Sequence, residues 1–361
     1  MHSRIFLLFL VTVATAALLY PSELSRHTSL ESPTPAVVAA ATIATGPART
    51  PEPAVDTTSA AAPEQSTRVT VAEPLHQTPA LDLAVVNERT RAAVVNILCT
   101  ATGNDLNPVS GSGVIIDGKG TVLTNAHIGQ YVLLQDASPI DMECTVRTGS
   151  PAKTMWKPRL LYISETWIAK HAQDIRTVRP TGTGENDFAL LALEAIDTPL
   201  SLPLPFVTPD VRDGVIVTGE QALAASYPAG FAGAVTIYNQ LSLTSTVATI
   251  KRLYTFSEQT IDLLSLGGII LAQQGSSGGA LVDSWGNLVG LIVTSSDAIT
   301  TSERDLRALT LSHINRILTE ETGVSLATHL ARDPRAGAVR YRENKGLSLA
   351  AVLTAAVFAA P

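Results

Sequence analysis

Short apolar runs separated by turn residues fill the middle of this chain, from about Val85 to Ser302. Gly, Pro, Asn and Asp interrupt the runs every few residues, which is typical of antiparallel sheets. Many short strands with few helices predict an all-β fold, either a sandwich or barrels. The runs predicted to be strands are Ala92–Cys99, Gly113–Asp117, Thr121–Thr124, Phe188–Leu193, Val215–Thr218, Ile269–Ala272, Ala280–Val282 and Leu288–Val293.

One helix is predicted after the strands. Apolar residues recur at helical spacing between Leu306 and Leu318, and Gly323 ends the pattern. Ser302 is a suitable N-cap, and acidic residues follow it in the first turn. We therefore predict a helix over residues 303–320.

Both ends of the 361-residue chain differ from its middle. Residues 1–21 contain the apolar run Ile5–Tyr20 after a short basic start, which is typical of a signal peptide or an uncleaved signal anchor. Residues 22–80 are rich in Ala, Thr, Pro, Ser and Glu, so we predict a disordered linker rather than a helical bundle. Residues 321–361 are predicted to be a tail that contains the apolar segment Gly346–Ala360. Two alternatives stay open for this segment, a membrane-touching helix and a frayed end. We expect an extracytoplasmic protein, either membrane-anchored or secreted.

Charge and cysteine content narrow the function classes. A formal net charge of −7 argues against nucleic acid as the main partner. Cys99 and Cys144 are the two cysteines, and an exported chain can oxidise such a pair. A disulfide would stabilise the fold by roughly 4 kcal/mol in the chain-entropy model, while two buried thiols are the alternative. We predict no cofactor and no metal.

A glycine-rich loop surrounds Ser277. The sequence Gly275-Ser276-Ser277-Gly278-Gly279 lets the main chain adopt conformations closed to other residues and lets a substrate carbonyl approach closely. A serine in such a loop can attack a carbonyl carbon while backbone N–H groups stabilise the developing oxyanion. Alone, the pattern also fits the nucleophile elbow of α/β-hydrolases or a flexible loop.

A nucleophilic serine needs a general base, and the seven histidines offer two candidates. His171 lies in a polar, lysine-flanked stretch that we interpret as a loop. His127 follows two predicted strands and a corner of small residues, where the ring would be held rigidly. The other histidines lie in the predicted signal, linker, helix and tail: His2, His27, His76, His313 and His329.

Three blocks together resemble chymotrypsin-like (trypsin-fold) serine proteases, most closely the bacterial exported quality-control branch without a PDZ domain. The first, Gly-Ser-Gly-Val-Ile-Ile followed by Leu-Thr-Asn-Ala-His, ends at His127. The second places Asp187 before the apolar run Phe-Ala-Leu-Leu-Ala-Leu, and the third is the Ser277 loop. The order His, Asp, Ser separates this family from the α/β-hydrolases.

The resemblance implies both a fold and a mechanism. The fold would be two antiparallel β-barrels, at about 88–200 and 208–302, followed by the helix, within a protease domain at 81–320. Ser277 would attack, His127 would transfer the proton and Asp187 would orient the ring. The N–H groups of Gly275 and Ser277 would form the oxyanion hole.

Departures from the family pattern refine these expectations. Ser276 stands where animal digestive members have the aspartate that pairs with a newly cut N-terminus, so we expect no such zymogen switch. Leu271 stands where trypsin-like members have an acid in the primary specificity pocket, so we expect preference for apolar residues at the cleaved position. The segment 141–184 is unusually long, and the sequence leaves its role open.

We therefore expect an exported serine endopeptidase acting on polypeptides. A catalytically weak protease-fold binding or scaffolding module is the alternative, and a protease that mainly cleaves its own linker is a third possibility. The oligomeric state is not predicted by the sequence.

Overall fold

The computed structural model describes residues 76, 78–102, 106–177, 183–197, 199–230, 232–256, 259–294 and 303–359. The predicted signal segment and most of the predicted linker lie outside these residues, as does Ser302. Within the described part of the chain, no helix is both long and apolar enough to cross a membrane.

A closed antiparallel barrel forms the first half of the fold. Its strands neighbour one another in the order β1-β2-β3-β6-β5-β4. They are β1 (Val94–Ala101), β2 (Val109–Ile115), β3 (Thr121–Thr124), β4 (Met142–Thr148), β5 (Lys153–Ile163) and β6 (Ala189–Ala195). Helices in this half are α1 (Leu83–Ala93), α2 (Ala126–Ala137) and α3 (Glu165–His171), which continues into a 3₁₀ turn at Ala172–Arg176.

An eight-stranded sheet forms the second half, with neighbours in the order β10-β11-β14-β13-β12-β8-β9 and a short parallel strand, β7, beside β13. The strands are β7 (Thr208–Pro209), β8 (Gln221–Ser226), β9 (Thr244–Thr249), β10 (Arg252–Tyr254), β11 (Leu263–Gly267), β12 (Ala280–Val282), β13 (Asn287–Thr294) and β14 (Leu306–Thr310). A short helix, α4 (Ala234–Asn239), lies between β8 and β9. Together the halves make the chymotrypsin-like double-barrel fold.

The long segment 141–184 completes the first barrel. It supplies β4 and β5, and β5 pairs with β6, which follows Asp187. Cys99 on β1 lies directly opposite Cys144 on β4, and the two are joined by a disulfide across a sequence separation of 45 residues. A loop of that length contributes about 4 kcal/mol in the chain-entropy model.

Two of the predicted strands are wrong. Ile269–Ala272 forms a tight turn in which Ala272 N donates to Ile269 O at 2.8 Å. The turn buries Leu271 and leaves Ile270 60% exposed, so the apolar run reaches the core without strand pairing. Val215–Thr218 is also a turn, closed by the Glu220 carboxylate, which accepts from Val217 N at 2.9 Å.

The predicted helix at residues 303–320 begins too early. Residues Leu306–Thr310 form β14, which lies between β11 and β13 and is buried on most of its length. The spacing of Leu306 and Leu309 suits a helix, but pairing with two neighbouring strands determines the observed conformation. The helix α5 (Leu311–Thr322) starts after Thr310, whose side chain accepts from His313 N.

The C-terminal segment is not a frayed tail. It forms α6 (Leu326–Ala331), α7 (Pro334–Tyr341), a π-helical turn (Arg342–Gly346) and α8 (Leu347–Phe358). The face of α8 that contains Ala350 and Leu353 is buried, and α8 contacts α2 and the 3₁₀ turn. These contacts explain why the apolar segment is ordered as a helix against the first barrel.

The end of the predicted linker also packs on the fold. His76 stacks on Trp285 with ring centroids 3.6 Å apart, and Trp285 Nε1 donates to Thr78 O at 2.7 Å. Trp285 lies in the turn between β12 and β13, so the linker prediction fails at this end.

Candidate active site

His127 lies at a corner where β3 passes into α2. Asn125 is the N-cap residue of α2, and its buried side chain donates to Asp187 O at 2.8 Å. Thr124, the last residue of β3, donates through Oγ1 to Ser112 O at 2.7 Å. The corner is therefore tied to both β2 and the segment before β6, and these bonds fix His127 in the first turn of the helix.

The Asp187 carboxylate accepts two hydrogen bonds from His127. The backbone N–H of His127 donates to Oδ1 at 2.9 Å, and Nδ1 lies 2.7 Å from Oδ2. Asp187 is 6% exposed and follows a turn in which its own N–H donates to Gly184 O at 3.1 Å. Because a carboxylate only accepts, Nδ1 carries the proton and Nε2 is the nitrogen that can act as a base.

The pKa of His127 is raised above the ordinary histidine value of 6.5. Burial is the largest single influence and lowers the pKa, because it disfavours the charged ring. The negative charge of Asp187 and its hydrogen bond act in the opposite direction and together outweigh burial. The ring therefore accepts a proton more readily than an isolated imidazole.

The glycine-rich loop is pinned to both halves of the fold. Ser277 O accepts from Ser112 N of β2 at 2.7 Å, and Gly278 N donates to Ile292 O of β13 at 2.8 Å. Gly278 has φ +84°, and a Cβ added there would lie 1.9 Å from Ser112 O and 2.7 Å from Thr124 Oγ1. Only glycine allows this close approach, which places the loop beside the strand end that leads into His127.

The Ser277 hydroxyl has a different partner from the predicted one. Its Oγ donates to Val293 O at 3.2 Å, and the described residues show no hydrogen bond between Ser277 and His127. A serine hydroxyl turns about a single side-chain torsion, and catalytic hydrogen bonds are often long or absent without substrate. Neither Gly275 N–H nor Ser277 N–H donates to any carbonyl of the described residues, as an oxyanion hole requires.

Two further predicted site residues are buried in the second half of the fold. The Ser276 hydroxyl accepts from Ser226 Oγ at 3.0 Å, so this position makes a neutral contact with β8. Leu271 is fully buried among apolar residues of the second half of the fold. Their predicted roles stay predictions.

Sequence analysis missed the contribution of Ser112. This residue of β2 is fully buried, donates through Oγ to Gly275 O at 2.7 Å and accepts from Tyr227 N at 2.9 Å. It thus links the first barrel to the glycine-rich loop and to the segment after β8. Its place inside the Gly-Ser-Gly motif was the only available signal.

The other histidine considered as a base lies elsewhere. His171 is the last residue of α3 rather than a loop residue, and its Nδ1 lies 3.1 Å from Asp174 Oδ2. The structure therefore pairs His171 with a surface carboxylate of its own segment and does not bring it to Ser277.

Comparison with known proteins identifies the family. Residues 111–291, half of the chain, match the model of the trypsin-like peptidase domain, and this range contains His127, Asp187 and Ser277. The chain belongs to the trypsin-like peptidase family. It is accordingly a serine endopeptidase of the chymotrypsin-like class, a hydrolase that acts on polypeptides.

Solved structures and curated sequences add little to this assignment. A protease from M. tuberculosis, crystallised in its active form, is 22% identical over 69% of this chain and 93% of its own, with a TM-score of 0.42. A serine endoprotease from Yersinia pestis is 20% identical over 68% of this chain and 69% of its own, with a TM-score of 0.44. No curated protein sequence gives a significant match.

Proposed function

We propose that this protein is an exported endopeptidase that cleaves peptide bonds through Ser277, His127 and Asp187. The observation that carries the proposal is the His127–Asp187 pair, held by two hydrogen bonds at the corner against which the glycine-rich loop packs. The pair orients a base, and the loop supplies a hydroxyl and two N–H groups that donate to no carbonyl of the described residues.

The proposed reaction has two stages, which are acylation of Ser277 and hydrolysis of the acyl-enzyme. Ser277 Oγ attacks the substrate carbonyl carbon as its proton passes to His127 Nε2, and the oxyanion accepts from the N–H groups of Gly275 and Ser277. The imidazolium then protonates the leaving amine, which departs and leaves an acyl-enzyme. Water attacks the ester with His127 again as the base, and the released serine regains its proton.

Two features support export. The Cys99–Cys144 disulfide joins adjacent strands of the first barrel, and such bonds persist in oxidising compartments. The apolar run in residues 5–20 follows a basic start, which is the pattern of an export segment. Membrane attachment through that segment is part of the same proposal.

Preference for small or medium apolar residues at the cleaved position is expected from Leu271. An apolar pocket leaves the charge of Lys or Arg unpaired, and burying an unpaired charge is costly. A peptide library digested with the enzyme and analysed by mass spectrometry should show cleavage after apolar residues. Efficient cleavage after Arg would contradict the assignment of Leu271 to the pocket.

One observation favours a second candidate function, a binding or scaffolding module of low activity. The Ser277 hydroxyl donates to Val293 O rather than to His127, as expected of a nucleophile held away from its base. If this arrangement persisted with substrate bound, peptides would bind without being cleaved.

A fluorophosphonate probe, which reacts with activated serines, separates the two functions. The folded wild-type protein is expected to be labelled at Ser277, because His127 raises the nucleophilicity of the hydroxyl. Mass spectrometry of the labelled peptide locates the adduct. Ser277→Ala and denatured wild type should not be labelled, whereas Ser242→Ala, which alters an exposed serine, should be labelled normally.

Absence of labelling in a wild-type sample with a normal melting transition would contradict the proposed triad and support the binding module. Labelling that survives denaturation would show non-specific chemistry, which also contradicts the proposed triad.

A further inference from the structure

A second histidine–aspartate pair lies behind the turn that carries Asp187. His313 of α5 is buried, with 4% of its side chain exposed. Its Nδ1 lies 3.2 Å from Asp262 Oδ1, and its Nε2 lies 2.6 Å from the backbone carbonyl oxygen of Glu185. A buried polar ring with two such bonds needs an explanation beyond packing.

Asp262 is a rigid partner for this ring. It precedes β11, and its Oδ2 accepts from Phe256 N at 2.7 Å and from Thr260 Oγ1 at 2.8 Å. Burial raises the pKa of this carboxyl, but these hydrogen bonds and the nearby His313 together hold the pKa below its ordinary value. The carboxylate is thus ionised and fixed in place, and it also accepts from Arg316.

The backbone around His313 is equally constrained. Thr310, at the end of β14, accepts through Oγ1 from His313 N at 3.2 Å and donates through the same hydroxyl to Ile261 O at 2.8 Å. Thr310 N also donates to Asp262 O at 2.9 Å. The second half of the fold therefore determines where the His313 ring lies.

Hydrogen-bond acceptors face both nitrogens of the His313 ring. A carboxylate and a carbonyl oxygen only accept hydrogen bonds, so a ring nitrogen of His313 that carries a proton donates to the acceptor it faces. The charged side chains that face it are Asp262 from the segment before β11 and Arg316 from its own helix, which also pairs with Asp213. From the segment before β6 the ring meets the main chain of Glu185, and the Phe256 ring lies 5.2 Å away.

The bond to Glu185 acts on the turn that presents Asp187. Asp187 N donates to Gly184 O at 3.1 Å, so residues 184–187 form one closed turn, and Glu185 O projects from it to the ring. A rotation of this peptide would move Asp187 relative to His127. His313 thus connects the second half of the fold to the turn that carries Asp187.

We propose that His313 is a positioning residue, which fixes the 184–187 turn and through it the orientation of Asp187 toward His127. The inference rests on the proposed function in one respect, that Asp187 orients the catalytic base. His313 itself touches neither substrate nor reacting atoms.

Two amide variants separate the two bonds of the ring. The amide nitrogen of Asn can occupy the place of histidine Nδ1 and that of Gln the place of Nε2. His313→Asn therefore keeps the contact with Asp262 and loses the one with Glu185, whereas His313→Gln does the reverse. Both remove the same ring, and Asn leaves one methylene group fewer than Gln, so His313→Phe provides the control for lost packing.

The expected result is a difference between these variants. His313→Asn should lower the rate of fluorophosphonate labelling of Ser277 by about 10- to 100-fold, because misplacing a catalytic group by about 1 Å has such effects. It should also lower the pKa of His127, measured by NMR of ring-labelled histidine in a Ser277→Ala background. His313→Gln and the control Arg316→Gln, which removes a different partner of Asp262, should match wild type in both measurements.

Melting temperatures and rates normalised to the folded fraction accompany each measurement. His313→Phe, which fills the same buried volume without either bond, replaces His313→Asn if the latter does not fold, with the same expected result. The inference is overturned if the variants lacking the Glu185 bond keep the wild-type rate and the wild-type pKa of His127, or if His313→Gln loses as much as they do. The NMR measurement needs no activity, so an unlabelled wild type would count against the proposed function while the inference is still decided.

Discussion

His127→Gln is expected to slow hydrolysis of a peptide substrate by on the order of 10⁶-fold, as loss of the histidine does in other serine proteases. The variant keeps a polar side chain at the corner but has no nitrogen that can accept the Ser277 proton. Because Asn125 and Thr124 hold the corner through their own bonds, the fold should be unchanged. Initial rates on a peptide chosen from the library, with melting temperature measured in parallel, provide the check.

A matched control is available in the same chain. His171 also lies beside a carboxylate, with Nδ1 3.1 Å from Asp174 Oδ2, but it is at the end of α3. His171→Gln should therefore keep the wild-type rate. Equal losses in both variants, or a His127→Gln variant that keeps substantial activity, would contradict the assignment of His127 as the base.

The sequence predicts the fold class and points to the candidate site residues because their signals are local. The corner before His127 and the glycine-rich loop around Ser277 need particular residues at adjacent positions, since a tight approach or a positive φ excludes others. Thr121–Thr124 and Ala280–Val282, which flank these features, were predicted with the observed bounds. Short-range constraints of this kind are visible in a single sequence.

The error in the predicted helix has a different cause, which is pairing between distant segments. Leu306 and Leu309 fit helical spacing, yet β11 and β13 lie on either side of them and enforce a strand. The sequence leaves the role of segment 141–184 open for the same reason, since β4 and β5 pair with β1 and β6, which precede and follow the segment in the chain. Nothing within these segments distinguishes a buried strand from other apolar runs.

The residues that join the two halves were missed for the same reason. Ser112 contacts Gly275 and Tyr227, more than a hundred positions away, and His313 contacts Glu185 across 128 positions. A serine in a strand and a histidine in a helix are unremarkable in sequence. Ser112, in the first half of the fold, contacts the glycine-rich loop of the second half. His313, in the second half, contacts the turn that precedes Asp187 in the first half.

Asp187→Asn is expected to lower the rate at neutral pH by about 10⁴-fold, the effect of this change in related triads. The amide nitrogen of Asn donates where the carboxylate accepts, which favours the tautomer with the proton on Nε2, the nitrogen that must act as the base. Asp174→Asn changes the carboxylate beside His171 and should leave the rate unchanged. The measurement is the initial rate on the same peptide, with the folded fraction determined by circular dichroism.

The pH profile of the same variant tests the electrostatic role of Asp187. Neutral His127 is the active form and its folded pKa is raised, so the wild-type rate should rise through a pH above 6.5. Removing the negative charge lowers that pKa, and the acid limb of the profile should move to lower pH while its plateau falls.

By linkage, the stability contributed by the charged pair is present below the unfolded pKa of histidine and is lost as pH rises through the folded pKa. The difference in unfolding free energy between wild type and Asp187→Asn should therefore shrink as pH increases over this window. An acid limb of the rate profile at the same pH in both proteins would contradict the coupling of Asp187 to His127.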